Sequence, residues 1–201
     1  MENQMPIRKR KKKDYTPAQK IYFEAREIIT VLVAFMLIYI FCFRVVVVVG
    51  DSMYDTLVDG DRLVLVSNFF YQEPKYGDIV VASKDSFRNG ECIVKRVIAT
   101  EGQEVDIDFK LGIVYVDGVA LEEEYIYSPT MLYEGISFPL VVDQGCIFVM
   151  GDNRMDSKDS RSTEIGLIDK REVLGKAIFL LFPGTDGGTV KQDFGRIGGL
   201  Y

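Results

Sequence analysis

Histidine is absent from all 201 residues of the chain. Its absence removes every Ser/His and Cys/His catalytic pair and the commonest transition-metal ligand. Any proton-transferring base must then be Asp, Glu, Lys or Tyr. Cysteine is scarce too: Cys42, Cys92 and Cys146 show no C-x-x-C spacing, and Cys42 sits in an apolar run. Only Cys92 and Cys146 could pair, and buried free thiols are the favoured reading. Net positive charge is confined to one end. Residues 1–44 carry nine Lys/Arg against four Asp/Glu, whereas residues 45–201 carry 15 against 26. The only cationic cluster, Arg8 to Lys13, lies in the tail. An acidic body without such a cluster excludes a nucleic-acid partner, because phosphate contacts need grouped Lys and Arg.

What is present is, first, a membrane-length apolar run. From Ile28 to Phe43 the sequence reads IITVLVAFMLIYIFCF, free of charge. Sixteen helical residues reach about 24 Å, and a snorkelling Arg44 at one end with Tyr22 and Phe23 at the other extends that toward a hydrocarbon core of about 30 Å. A buried core helix would show a polar face, and none is visible. The basic cluster precedes the run, so the positive-inside bias places the N-terminus in the cytoplasm. Bulky valines follow where a cleavable leader would show small residues, which favours a retained anchor. The expected layout is a basic cytoplasmic tail (1–27), a single transmembrane anchor in the cell membrane (28–44) and an extracytoplasmic β-rich domain (45–201). The lipid bilayer is then one partner; no residue pattern specifies an oligomeric state.

Beyond the anchor, short β-branched and aromatic runs alternate with Gly, Asp, Asn and Pro: Val45 to Val49, Arg62 to Val66, Asp78 to Ala82, Cys92 to Ile98, Ile113 to Val116, Cys146 to Met150 and Lys176 to Phe182. Asp117 and Gly118 between apolar pairs are a hairpin signal. The expected fold class is therefore mainly β, with coiled antiparallel sheets and barrel-like closure preceded by one transmembrane α-helix. The glycine-rich segment after Pro183 reads as a loosely held tail.

Three segments carry chemistry. Ser52 follows a valine strand and Gly50, so its hydroxyl is exposed at a sharp turn where a substrate backbone can come close. Lys95 alternates with Ile93 and Val97, which puts an ammonium on an apolar strand face; desolvation there lowers its pKa and suits it to deprotonate a serine. Gly151 to Arg161, GDNRMDSKDSR, is dense in hydrogen-bonding groups. Its three Lys/Arg residues and the lack of Glu at the twelfth position argue against a calcium loop, so no metal or cofactor is expected.

In this order behind an anchor, SMYDTL at Ser52, GDRLVL at Gly60, KRVI at Lys95 and GDNRMDSKDSR at Gly151 resemble the type I signal peptidases. These are Ser/Lys endopeptidases that remove signal peptides from exported proteins. The resemblance implies Ser52 as nucleophile, Lys95 as base and then acid, Ser157 as a hydroxyl orienting the lysine amine, and Asp159 with Arg161 as a supporting ion pair. It also implies an oxyanion contact from the Ser52 N–H, substrate contacts at Gly50 and Met53, and signal-peptide-bearing preproteins as partners. Asp55, Ala99 and Glu101 depart from the family pattern of Pro, Gly and Pro. Those departures leave one alternative, a catalytically silent anchored relative that binds exported or assembly proteins.

Overall fold

A computed structural model describes residues 15–84, 87, 90–185 and 192–200; the basic run Arg8 to Lys13 lies outside them. The chain divides into two compact units, Met1–Ile40 and Phe41–Tyr201.

The first is built on one helix, α1 (Pro17–Cys42). A capping box starts it: the Gln19 N–H donates to Thr16 Oγ1 while the Thr16 N–H donates to Gln19 Oε1, and Pro17 occupies the first helical position. The helix therefore begins well before Ile28. It ends at Cys42, and Arg44, grouped with the anchor on sequence, belongs to the first strand. None of its residues is buried, and it is long and apolar enough to cross a membrane. Such a helix suits a membrane anchor.

The second unit is antiparallel β. In chain order its strands are β1 (Phe43–Val47), β2 (Arg62–Ser67), β3 (Ile79–Ser83), β4 (Cys92–Thr100), β5 (Glu104–Asp108), β6 (Ile113–Val116), β7 (Val119–Ala120), β8 (Leu140–Val141), β9 (Cys146–Met150), β10 (Ile168–Asp169), β11 (Val173–Phe182) and β12 (Gly198–Gly199). The larger sheet runs β1-β2-β11-β3-β4-β9-β10 with β12 on β11; the smaller runs β7-β6-β5-β8. Each segment with a strand pattern overlaps one of these strands. The β6–β7 turn is the expected hairpin, with Asp117 at φ 51° and Gly118 at φ 75°.

The expected barrel closure is not found among the described residues. The path of the larger sheet is open, with β1 and β10 at its ends. β10 offers only two residues for pairing, and apolar side chains cover both faces of the middle strands instead. On one face Met53, Leu57, Leu65, Val81 and Ala177 pack together; on the other Val80, Ile93, Val97, Val149 and Ile168 do. The smaller sheet buries Val105 and Val114 against Ile98 and Phe148. β4 serves both this cluster and the larger-sheet core because a register shift between Val97 and Ala99 breaks its alternation.

Two further expectations change. The three cysteines are free, but Cys92 is exposed rather than buried. Cys92 begins β4, whereas Cys146 lies just past the partner of Thr100 at the far end of that strand, so the two thiols are roughly 25 Å apart at the rise of a strand and cannot bridge. The described part of the C-terminal segment is also tied down. β12 pairs with β11 at Phe179 and Leu180, and Leu200 packs on the core.

Candidate active site

The turn after β1 presents Ser52. Gly50 adopts φ 83°, a conformation that side chains disfavour, and its N–H donates to Asp59 Oδ1 at 2.8 Å. The Tyr54 N–H then closes onto the Asp51 carbonyl and the Leu57 N–H onto the Met53 carbonyl. The apolar side chains of this turn, Met53 and Leu57, point into the core, which leaves the Ser52 hydroxyl at the surface of a cleft. Met53 is 1% exposed, so it forms the floor beneath the nucleophile turn rather than the substrate-facing wall assigned to it from the resemblance. Gly50 and Ser52 do line the cleft, which has a volume of about 650 Å³.

Strand β4 carries Lys95 into the same cleft. Its side chain alternates with Ile93 and Val97, as the sequence pattern requires, and it is 4% exposed. Lys95 Nζ lies 2.6 Å from Ser52 Oγ and 3.0 Å from the Val94 carbonyl oxygen. Burial is the dominant influence on the amine and lowers its pKa from 10.5 to about 8; Asp159, Asp152 and Glu134 oppose that shift, and Arg161 adds to it. An amine whose pKa is lowered to about 8 keeps a neutral fraction near neutral pH, and within hydrogen-bond reach of a hydroxyl that form can accept the proton and later return it.

Behind the lysine, Gly151–Arg161 folds into a compact polar loop. Asp159 is completely buried. The Arg161 guanidinium meets it through Nε and Nη2 at 2.9 Å each, and the Gly151 N–H and Ser157 Oγ donate to it at 2.9 and 2.8 Å. Burial alone would raise the Asp159 carboxyl; these donors outweigh it and hold the pKa below the ordinary carboxylate value. Ser157 therefore spends its proton on Asp159. Among the described residues it makes no hydrogen bond to the lysine amine, which the resemblance had led us to expect. Glu134, 3.3 Å from Lys158 Nζ and 4.0 Å from Arg161 Nε, is a second carboxylate here, pushed up by burial and by the charge of Asp159.

Several residues at this site were not singled out from sequence. Arg96, the neighbour of Lys95, donates from Nε and Nη2 to Asp152 at 2.8 and 2.7 Å and stacks 4.0 Å over the Tyr125 ring. Thr56 Oγ1 donates to the same Asp152. One buried ion pair thus joins the nucleophile turn, the lysine strand and the polar loop. Arg96 and Asp152 both stood inside the quoted motifs, but nothing in the sequence paired them. Replacing Asp152 by Ala leaves a guanidinium that is 2% exposed without its carboxylate. The expected cost is about 3–5 kcal/mol of stability, checked by urea unfolding of the full chain in detergent.

Taken with the antiparallel sheets, a hydroxyl and a desolvated amine facing one cleft in a chain without histidine define a serine endopeptidase. The comparisons with known proteins agree. The chain belongs to the signal peptidase family, peptidase S26, whose model matches residues 22–182. A probable signal peptidase I-1 of Synechocystis is 39% identical over 147 residues, covering 69% of this chain and 71% of that protein. A signal peptidase I of Bacillus licheniformis is 37% identical over 166 residues, covering 79% and 87%. A crystal structure of a signal peptidase I from Enterococcus faecalis superposes with a TM-score of 0.43 at 30% identity, covering 52% of this chain and 96% of that one.

Proposed function

We propose that this protein removes signal peptides from exported preproteins by acyl transfer through Ser52, with Lys95 as base. The observation that carries the reading is the 2.6 Å separation of Lys95 Nζ and Ser52 Oγ in a buried setting. The neutral amine takes the Ser52 proton as Oγ attacks the scissile carbonyl. The protonated lysine then gives that proton to the leaving amine, and water, deprotonated in turn by Lys95, releases the acyl-enzyme. The Ser52 N–H has no acceptor among the described residues, which leaves it available to the developing oxyanion. Asp159, held by Arg161 and Ser157, supports the pocket behind the base.

Gly50 keeps the cleft open beside the nucleophile. β1 lies at the end of the sheet path, so its outer edge can receive an extended substrate strand. The layout that fits this role is a cytoplasmic tail ahead of the apolar run, one membrane pass through the apolar part of α1 from Ile28 to Cys42, and a catalytic domain from β1 onward on the far side. The basic run before the apolar helix supports that orientation. The direct test is Ser52→Ala in the full chain, assayed on a model preprotein in detergent. Cleavage should fall by about 10³-fold or more, with binding of the preprotein retained. Full turnover by this variant would overturn the assignment.

A further inference from the structure

The segment Gln192 to Leu200 lies beyond the residues that the family model matches, yet it reaches the turn that carries Ser52. A single 3-10 turn, Phe194–Arg196, is capped by the Asp193 side chain, which accepts the Gly195 N–H, and β12 anchors the segment to β11. This places the Arg196 guanidinium against Asp61. Nη1 donates to Oδ1 at 3.0 Å and Nη2 to Oδ2 at 2.7 Å, and Nη2 also donates to the Thr56 carbonyl oxygen at 3.1 Å.

Asp61 is fully buried and closes the nucleophile turn. Its Oδ2 accepts the Val58 N–H, its Oδ1 accepts the Gly184 N–H, and its own carbonyl accepts the Val48 N–H from the chain leaving β1. A buried carboxylate that organises so many backbone donors needs a cation to offset its desolvation. Among the described residues, Arg196 is the one ion-pair partner of Asp61. Its forked guanidinium matches both carboxylate oxygens, which a lysine cannot do while also reaching Thr56. Thr56 is in turn the residue whose hydroxyl touches Asp152, the partner of Arg96 beside Lys95. Arg196 therefore grips the base of the Ser52 turn at the point where that turn is linked to the lysine strand.

We propose that Arg196 is a positioning residue: by clamping Asp61 and the Thr56 carbonyl, the C-terminal segment sets the Ser52 hydroxyl against the Lys95 amine. The inference rests on Ser52 as nucleophile. The test compares Arg196→Gln, Arg196→Lys and Ser52→Ala in the full chain in detergent, measuring kcat and KM on a preprotein together with the melting temperature, well below which the assays are run. Arg196→Gln should lose about tenfold in kcat with KM within about twofold, because misplacement of reacting groups acts on the chemical step. Arg196→Lys should fall between it and the wild type. A wild-type kcat in Arg196→Gln, or a loss accounted for by its unfolded fraction, would overturn the proposal. If Arg196→Gln does not fold, Arg196→Lys decides, and a wild-type kcat there overturns it. An active Ser52→Ala removes the reading beneath the inference, whereas an inactive Ser52→Ala beside a fully active Arg196→Gln removes the inference alone.

Discussion

Lys95→Met is expected to lower kcat by about 10³- to 10⁴-fold while leaving preprotein binding close to that of the wild type. Methionine fills a similar volume but offers no nitrogen to take the Ser52 proton. Lys95→Arg should be as inactive, because a guanidinium stays protonated at any pH the protein survives. In the wild-type chain, kcat/KM should rise with pH through about 8, the value to which burial lowers the amine, since only the neutral lysine can act as base. A profile that is flat from pH 6 to 10, or Lys95→Arg with substantial activity, would remove lysine from the role.

The same lysine weighs on stability with a definite sign. In the unfolded chain its amine holds a proton up to its ordinary pKa of 10.5, but in the folded chain only to about 8. Across that window the unfolded state binds the extra proton, so this group makes stability increase with pH. Below the window the lowered pKa costs the fold on the order of 3 kcal/mol. Lys95→Met should therefore melt higher than the wild type at pH 7, an inactive variant that is more stable than the active one. Folding alone gives no reason to keep a charge on the face of β4 that Ile93 and Val97 fill.

That contrast explains which parts of the site were readable in the sequence. Lys95 was legible because a strand alternates with period two, and one cation among aliphatic residues breaks the pattern visibly. Ser52 was legible from Gly50 and the end of the valine run. Arg96 and Asp152 were not, because their pairing depends on how β4 approaches β9 and on the path of the loop after Met150, and neither has a local signature. Met53 was misplaced for a related reason. A turn residue next to a nucleophile suggests a substrate contact, but this turn has its apolar side facing Leu57, Leu63 and Leu65. The tail after Pro183 misled through composition: its glycines suggested mobility, while Arg196 and the β12 backbone supply the specific contacts that hold its last part. Strand pattern alone likewise could not separate an open coiled sheet from a barrel, since both bury alternate residues and differ only in whether the end strands meet.

Gly151 was legible as a member of a motif, but only the structure gives its reason. A Cβ added there would lie 2.2 Å from Ser157 Oγ and 2.3 Å from the Ser52 carbonyl oxygen. Rotating Ser157 moves its hydroxyl away at the loss of its bond to Asp159, although Ser157 Cβ stays 2.6 Å from the added carbon. The second clash has no such relief, because the Ser52 carbonyl is backbone and already accepts the Asn153 N–H at 3.1 Å. The displacement must therefore pass into the peptide that carries the nucleophile. Gly151→Ala is expected to cost about 10²-fold in kcat, the penalty of moving a reacting group by about 1 Å, together with about 1–3 kcal/mol of stability from overpacking. The double variant Gly151→Ala with Ser157→Gly separates the two contacts by removing the whole Ser157 side chain, Cβ and hydroxyl together. If the Ser52 carbonyl is the critical contact, preprotein cleavage by the double variant stays as low as in Gly151→Ala alone. Recovery to the level of Ser157→Gly would instead place the whole effect on the serine side chain, and the close approach of Gly151 to the nucleophile peptide would then have no part in holding Ser52 in place.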